Sequence, residues 1–438
     1  MTTLVDQALK PHERTWIYSV YLGAVAMNVV ITLFVGAWVL MLYAYIGFPA
    51  LLALFAKFVG KEPVFTPADD KTELSESKLP RIAIIVAAFN EEAVIADKLK
   101  NTWALDYPAD RIELWVGSDG SSDSTDSILR SCSDSRLRRL LFTERRGKIS
   151  VLNDIMSQVD AEIVVMSDAN TDLAPDAIRQ LVKHFEDPFL GCVSGELSLT
   201  QNGGVSGEGL YWKYEGWIKR NESKLGFLIG CNGGIFAMRR ELFTPLPSST
   251  IVEDFVLTMS IVQRGYRVRF EPNAKATEPA CPSSKAEMVR KIRIGAGGFQ
   301  ALGLTAAVLS PLHGFASFAY WGHKVLRWCV PFFFLTALAA NIVLSHVPVF
   351  GVFLGLQTLG ILVAILASVV PPTIKLPSWT RPVSYFFLMN YALFCGFFRF
   401  LFGTQRVTWE KAAQDDNLNL PSPNSFVWNN ELGGEMVE

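Results

Sequence analysis

Apolar and charged residues are segregated along this chain. Three stretches contain no Asp, Glu, Lys or Arg: residues 15–56, 328–370 and 382–398. A bilayer core about 30 Å thick needs roughly 20 apolar residues in a helix, and each stretch approaches or exceeds that length. The pattern therefore predicts membrane helices on both sides of a polar central region.

The number of membrane helices is less well defined by the pattern. Residues 15–56 fit either two helices or one interfacial helix followed by one spanning helix over 29–56. The lack of a polar turn favours one spanning helix. About three further spans are predicted, near 327–346, 350–370 and 383–402. The N-terminal run is too long for a secretory signal peptide and ends in no A-x-A-like cleavage site.

The central region alternates between strand and helix patterns. Apolar runs predict strands over 81–89, 112–118, 138–142 and 161–168, and helical spacing follows each of them, over 91–103, 122–132, 148–159 and 175–185. This alternation predicts an α/β domain with a mostly parallel sheet. Ligands bind such sheets at the carboxyl ends of the strands, where Asn90, Asp119 and Asp168 stand.

We therefore divide the chain into five regions. They are an N-terminal membrane region (1–60), an α/β domain (61–284), amphipathic interfacial helices (285–322), transmembrane helices (323–404) and a polar tail (405–438). Lys and Arg residues in 285–327 place that region on the cytoplasmic side. Basic residues on both flanks of the last apolar stretch leave its topology open.

Composition narrows the class further. The formal net charge of −2 gives no indication of nucleic-acid binding. The six cysteines are scattered without a C-x-x-C pair, which favours free thiols in a reducing compartment over a thiolate metal site.

Two predicted strands end in acidic motifs. In SDGSSDST, Asp119 is placed to accept hydrogen bonds from a nucleobase or ribose, although the segment also fits a plain loop with a helix cap. In MSDANTD, Asp168 and Asn170 are two residues apart and offer oxygens to a divalent cation, although they also fit an Asx turn. For each of the two motifs, the sequence leaves open whether the side chains bind a ligand or only stabilise a loop.

Three further motifs suit a phosphorylated sugar. Lys148 follows a glycine at a helix start, Arg290 and Arg293 lie one helical turn apart, and the GCNGG turn carries Asn232, Gly233 and Gly234. Cations and free N–H groups at a helix start bind phosphate, and guanidinium groups can clamp a diphosphate. Taken singly, each motif fits a solvated turn or a basic, lipid-facing patch at least as well.

The VEDF segment holds adjacent carboxylates, Glu253 and Asp254, at the start of a predicted helix. They fit a stabilising position near the positive end of the helix dipole. They also fit a general base, since an inverting transferase needs a carboxylate to take the proton of the acceptor hydroxyl.

The order of these motifs resembles the membrane-embedded synthases of glycosyltransferase family 2, such as the cellulose, hyaluronan, chitin and poly-N-acetylglucosamine synthases. The resemblance covers roughly 80–300 and the flanking membrane helices, including YAYIGFP at 43–49. It implies a GT-A (Rossmann-like) cytosolic domain inserted between transmembrane helices of a polytopic protein in the inner (plasma) membrane. It also implies a Mg²⁺ or Mn²⁺ ion and direct displacement with inversion.

The resemblance implies roles for individual residues. Asn90, Glu91 and Asp119 match positions that hold the uridine, and Lys148 matches the lysine near the donor. Asp168 and Asn170 fall at the metal motif, while Asp254, with Glu253 beside it, matches the general base. Arg290 and Arg293 fall on the Q-x-x-R-W helix, and Asn232, Gly233 and Gly234 fall in the acceptor turn. Trp212 is an additional aromatic candidate on the acceptor side.

The chain departs from the family pattern at two positions. The metal motif D-x-D is D-A-N here, so its second ligand is neutral, and Ile294 replaces the tryptophan of Q-x-x-R-W. We expect a nucleotide-sugar donor, with a UDP-sugar favoured, and a growing exopolysaccharide as acceptor, with partner subunits for export where needed. The alternatives are a lipid-linked acceptor and a nucleotide-binding regulator without activity.

Overall fold

A computed structural model describes residues 11–60, 79–200, 206–281, 283–370 and 376–406. The predicted tail lies almost wholly outside these residues. Within them one mixed sheet forms the centre of the α/β domain. Its strands are β1 (Ile82–Ala88), β2 (Ile112–Asp119), β3 (Leu137–Phe142), β4 (Ile163–Met166), β5 (Asp172–Leu173), β6 (Leu190–Thr200), β7 (Phe236–Arg239) and β8 (Arg267–Pro279).

Helices cover the sheet and extend beyond it. Those of the domain are α3 (Ile95–Trp103), α4 (Thr125–Ser131), α5 (Lys148–Gln158), α6 (Ala177–Val182), α7 (Ser206–Lys224) and α8 (Glu253–Gln263). Those outside it are α1 (Pro11–Leu42), α2 (Phe48–Phe58), α9 (Ser284–Leu304), α10 (Phe315–Ala319), α11 (Leu326–Leu344), α12 (Pro348–Val369) and α13 (Thr380–Leu401). Short 3₁₀ turns span Ala109–Arg111, Lys183–Glu186, Arg240–Leu242, Ala306–Leu309 and Pro311–His313, and π turns span Tyr43–Gly47 and Tyr320–Val325.

The central strand explains why the sheet is buried on both faces. Every residue of β1 is buried, and its side chains alternate between two separate cores. Ala83 and Ile85 face the core under α5 and α8, whereas Ile84 and Val86 face the core under α3 and α6. A strand covered by helices on both faces needs apolar residues at every position, which is why its sequence shows no alternation.

The described sheet is mixed, but six of its eight strands run in the same direction, so the predicted mostly parallel sheet is confirmed apart from β7 and β5. The strand order is β3-β2-β1-β4-β7-β6-β8-β5, with β7 antiparallel to both β4 and β6 and β5 antiparallel to β8. The four strands predicted from sequence form one parallel block, and β6 and β8 form a second parallel pair. The remaining strands carry many polar residues and pair with partners distant in sequence, so local patterns did not reveal them.

In the part of the chain that the structure describes, four helical segments are long and apolar enough to span a membrane: Ser19–Phe58, Phe315–Leu344, Pro348–Val369 and Thr380–Leu401. The N-terminal segment is continuous, as the single-span interpretation expected, although it contains the π turn before Pro49. Proline has no N–H to donate four residues back, to the Tyr45 carbonyl. The Tyr214 hydroxyl donates to that carbonyl instead, at 2.6 Å, so the turn leaves the oxygen satisfied.

The region predicted to be interfacial differs from the structure in one respect. It holds α9 and two 3₁₀ turns, but the next spanning segment already begins at Phe315, before the predicted boundary at 323. This part of the sequence was predicted to lie at the membrane surface because it contains His323, Lys324 and Arg327. Instead, His323 and Arg327 are buried and contact Glu215 of α7.

Candidate active site

The loops after β1 and β2 are joined by hydrogen bonds. Asn90 adopts a left-handed conformation, with φ of 55°, and its Oδ1 accepts the Ser122 N–H at 2.8 Å. The Glu91 N–H donates to the Thr125 hydroxyl at 2.8 Å. Asparagine tolerates this conformation better than most residues. The predicted nucleotide-binding residues Asn90 and Glu91 therefore lie in a loop that is fixed against the loop after β2, at the carboxyl edge of the sheet.

Asp119 organises the loop that leads to Lys148. Its carboxylate is fully buried and accepts the backbone N–H groups of Arg146, at 2.7 Å, and Gly147, at 2.8 Å. Gly147 has a φ of 91°, a region that favours glycine, and α5 begins at the next residue. The described contacts of Asp119 are thus with the protein backbone, and its contact with a nucleotide remains a prediction.

Lys148 bridges two of the predicted acidic sites. Its ammonium lies 2.7 Å from Asp168 Oδ1 and 2.6 Å from Glu253 Oε1. Burial alone would lower the pKa of this lysine, but the two carboxylates raise it above its usual value. A permanent positive charge therefore stands between the end of β4 and the start of α8.

Asp168 is surrounded by positive charge. Burial would raise its pKa, but Lys148, Lys98 and Arg290 hold the pKa below its usual value. Lys98 is 1% exposed, and its ammonium donates to the Ser167 hydroxyl at 2.8 Å and to the Thr171 carbonyl at 2.6 Å. Through these two hydrogen bonds, the buried Lys98 supports the turn that carries Asp168 and Asn170.

Asp254 has the properties required of a general base. It follows the first residue of α8, and burial together with the neighbouring Glu253 raises its pKa to about 6. One oxygen, Oδ1, accepts the Phe255 N–H at 2.8 Å, as a helix-start residue would. Glu253 is paired with Lys148, so the two adjacent carboxylates have different environments. Such a split separates a charge-holding carboxylate from a proton-accepting one.

The GCNGG turn lies against this base. A Cβ at Gly233 would stand 3.1 Å from Asp254 Oδ2, and one at Gly234 would stand 2.9 Å from the Thr171 hydroxyl oxygen. Asn232 donates from Nδ2 to the Gly195 carbonyl at 2.6 Å. The two glycines therefore allow the turn to approach both the base and the Asp168 turn closely.

The remaining predicted residues lie around this centre. Arg290 donates to Glu278 Oε1 at 3.1 Å and contributes positive charge at Asp168, whereas Arg293 donates to the Ile251 carbonyl at 3.5 Å, just before α8. Trp212 lies on α7 towards the membrane helices, next to Tyr211, whose ring centre is 5.7 Å from that of Tyr385 in α13. Arg293 thus lies next to the start of α8, whereas Trp212 lies on the helix that packs against α13, and its role on the acceptor side stays a prediction.

Few side chains at the metal motif are placed to ligate a cation. Within the described part of the chain, no group of three or more His, Cys, Asp or Glu side chains is placed to hold a metal. Asp168 supplies one carboxylate, Asn170 is exposed two residues later, and the Lys148 ammonium already stands as a cation beside Asp168. Mg²⁺ is commonly bound by one or two carboxylates plus substrate phosphates. These residues therefore fit a divalent ion that takes its other ligands from a diphosphate.

Sequence reasoning missed three residues of this site. Lys98 supports the Asp168 turn, Glu278 holds Arg290, and Lys219 donates to Asn232 Oδ1. None belongs to a local motif, because each reaches the site from a separate helix or strand. A charged residue on the otherwise apolar face of a predicted helix, as Lys98 is on α3, is the one signal that could have indicated it.

Comparisons with known proteins show which family and fold this chain resembles. Residues 83–245 match the family described as glycosyl transferase family 2. The beta-monoglucosyldiacylglycerol synthase of Synechocystis sp. is 27% identical over 280 residues, covering 60% of this chain and 57% of that protein. The poly-beta-1,6-N-acetyl-D-glucosamine synthase of Staphylococcus aureus is 26% identical over 242 residues, covering 53% of this chain and 58% of that protein. The alignments thus span less than two thirds of each relative.

A solved structure shows the same fold. The mannosyltransferase PcManGT from Pyrobaculum calidifontis, in complex with GDP-Man and Mn²⁺, superposes with a TM-score of 0.64 at 24% identity, covering 85% of this chain and all (100%) of that one. The likeness confirms the expected GT-A-like arrangement, with apolar helices on either side of the domain. Residues 83–245 therefore resemble glycosyl transferase family 2, within a domain that has a GT-A-like, Rossmann-type fold.

Proposed function

We propose that this protein is a membrane-bound, inverting glycosyltransferase that takes a nucleotide sugar from the cytosol. The observation that carries the proposal is the row Asp168–Lys148–Glu253–Asp254, in which a carboxylate with a pKa of about 6 stands beside a fixed cation. A displacement at a sugar carbon needs a base on the acceptor side and positive charge at the leaving diphosphate. This row supplies both within one crevice.

The proposed reaction is a single displacement. Asp254 accepts the proton of the acceptor hydroxyl as that oxygen attacks the anomeric carbon of the donor sugar, and the bond from that carbon to the diphosphate breaks. Lys148 and Arg290 face the developing negative charge, and Glu253 holds Lys148 in place. A bound Mg²⁺ or Mn²⁺ would be held by Asp168 and Asn170 and would neutralise further charge on the leaving group. The nucleoside diphosphate then departs.

The acceptor we favour is a growing polysaccharide at the membrane. The Staphylococcus aureus relative is, by its name, a polysaccharide synthase, and its similarity to this chain supports the assignment. The four apolar helical segments would anchor the domain in the inner membrane and help pass the product outward. The basic residues of 285–327 would keep the catalytic domain on the cytoplasmic side.

A lipid acceptor is the second candidate. The Synechocystis relative is, by its name, a glucosyldiacylglycerol synthase. Ile294 stands where the polysaccharide synthases have tryptophan, and it is 40% exposed. An apolar side chain at this position is suited to an acyl chain rather than to stacking on a sugar ring.

Incubation with radiolabelled UDP- and GDP-sugars, Mn²⁺ and native membrane lipids tests the function and separates the acceptors. We expect label from one donor to appear in product of high molecular mass. Label that extracts into organic solvent would replace the polysaccharide with the lipid acceptor. Label that stays entirely in the donor or in free sugar would contradict transferase activity.

The pH dependence of transfer should report on Asp254. Its pKa is raised to about 6, by burial first and Glu253 second, so the carboxylate is ionised and able to accept a proton above that pH. We expect kcat/KM for the donor to fall about tenfold per pH unit below about 6 and to level off above it. A series of initial rates between pH 5 and 8 measures this, and a profile that is flat through pH 6 would exclude Asp254 as the base.

A further inference from the structure

Helix α7 carries a buried stripe of charged residues. Glu215, Lys219 and Glu222 are 7%, 8% and 0% exposed. Their spacing of four and three residues places them on one face of the helix. Buried charges persist in proteins when they are paired, so this stripe requires partners.

The first partner of the stripe is the spanning segment Phe315–Leu344. The ring of His323 lies between the two carboxylates, with Nδ1 at 2.6 Å from Glu222 and Nε2 at 2.9 Å from Glu215. Arg327 donates to Glu215 at 3.1 Å. The α/β domain is therefore joined to a membrane helix by a buried cluster that includes the Arg327–Glu215 ion pair.

The second partner of the stripe is the acceptor turn. Glu222 Oε2 accepts the Ile229 N–H at 3.1 Å, and the Lys219 ammonium donates to Asn232 Oδ1. Asn232 is also held at its N–H by the Ser194 hydroxyl, at 2.9 Å, and is followed by Gly233, whose backbone closely approaches Asp254. One helix face thus holds the residue before the turn, Ile229, and the central residue of the turn, Asn232.

Lys219 is placed where its charge has a consequence. Burial, together with the charge of Lys324, lowers its pKa, while Glu215 and Glu222 act in the opposite direction. Its positive charge also acts on Asp254, together with that of Lys148 and against that of Glu253. Methionine, which is similar in length but has no N–H donor, could be buried at this position but could not hydrogen-bond to the Asn232 oxygen.

We propose that Lys219 is a positioning residue for the transfer reaction, which fixes Asn232 and so holds the turn 230–234 against Asp254. The proposal rests on the proposed transferase function and adds to it a residue outside the known motifs. Lys219 acts through Asn232 rather than on the substrate. Glu215 in the same stripe contacts His323 and Arg327. The stripe therefore links the acceptor side of the site to the spanning segment Phe315–Leu344.

Hydrogen exchange tests the positioning without requiring activity. Lys219→Met is compared with Lys213→Met, the same change at an exposed lysine of the same helix. We expect faster exchange of the backbone N–H groups of residues 231–234 in Lys219→Met alone. Exchange equal to that of Lys213→Met would overturn the proposal. This measurement remains decisive even if the wild-type protein transfers no sugar, in which case the proposed function fails separately.

Kinetics distinguish positioning from a general structural role. We expect Lys219→Met to lower kcat for transfer about tenfold or more while the Kd for UDP with Mn²⁺ stays unchanged, since a lost charged hydrogen bond has an effect of this order. Lys219→Arg, which keeps the charge and a donor, should recover most of the rate and covers the case in which Lys219→Met does not fold. Parallel losses of UDP affinity and kcat, or no recovery with arginine, would contradict positioning.

Discussion

Replacing Asp254 with asparagine is expected to reduce sugar transfer by about 10²- to 10⁴-fold, the range typical of a lost general base. Asparagine keeps the shape of the side chain and an oxygen that can accept the Phe255 N–H, so α8 should still begin normally. It cannot take a proton from the acceptor hydroxyl. Initial rates of transfer, with thermal unfolding measured in the same detergent, check this result.

The matched control for this substitution is Asp160→Asn. The Asp160 side chain is 98% exposed and lies at the opposite edge of the sheet, near the start of β1. Its activity should equal that of the wild type. Equal activity in Asp254→Asn as well would remove Asp254 from the mechanism and leave it a role in the first turn of α8.

Replacing Glu215 with glutamine is expected to destabilise the protein more than any other conservative change in the described chain. Burial would raise the pKa of this carboxylate, but His323, Lys324 and Arg327 hold it well below its usual value, so Glu215 is charged at neutral pH. Removing one partner of a buried ionic cluster leaves the others uncompensated, at a cost of about 3–5 kcal/mol. We expect the thermal midpoint in detergent to fall by about 5 °C or more.

Glu241→Gln is the control for this loss of stability. Glu241 is exposed in the short turn after β7, and its replacement should leave the midpoint unchanged. Equal midpoints in the two variants would show that the α7 stripe does not join the domain to the membrane helix. A midpoint lowered only in Glu215→Gln would support the ionic link between α7 and the membrane helix.

Local sequence patterns were sufficient to predict strands β1 to β4 and the helices that follow them. Strands β1 to β4 are short apolar runs that end in polar residues. Because ligands bind at the carboxyl ends of parallel strands, these strands led directly to Asn90, Asp119 and Asp168. The order of the motifs then indicated the family, because each motif alone has a structural alternative. Asp254 illustrates this well, since the same carboxylate accepts a helix-start N–H and faces the acceptor turn.

Long-range pairing limited what could be predicted beyond these elements. Strands β6 and β8 pair over most of their length in parallel, although α7, β7 and α8 lie between them in sequence. The buried role of His323 was equally hidden, because charged residues at the end of an apolar stretch normally mark a membrane surface. Only the packing of α7 against this segment shows that His323 is an interior partner of Glu215 and Glu222.

Release of nucleoside diphosphate tests the central claim most directly. Purified protein in nanodiscs is incubated with a panel of UDP- and GDP-sugars and Mn²⁺, alongside Asp254→Asn and Asp160→Asn. The account predicts that one donor supports release by the wild type and by Asp160→Asn, and that Asp254→Asn loses it. Binding of nucleotide without release from any donor, or equal release by all three proteins, would contradict a transferase that uses Asp254 as its base.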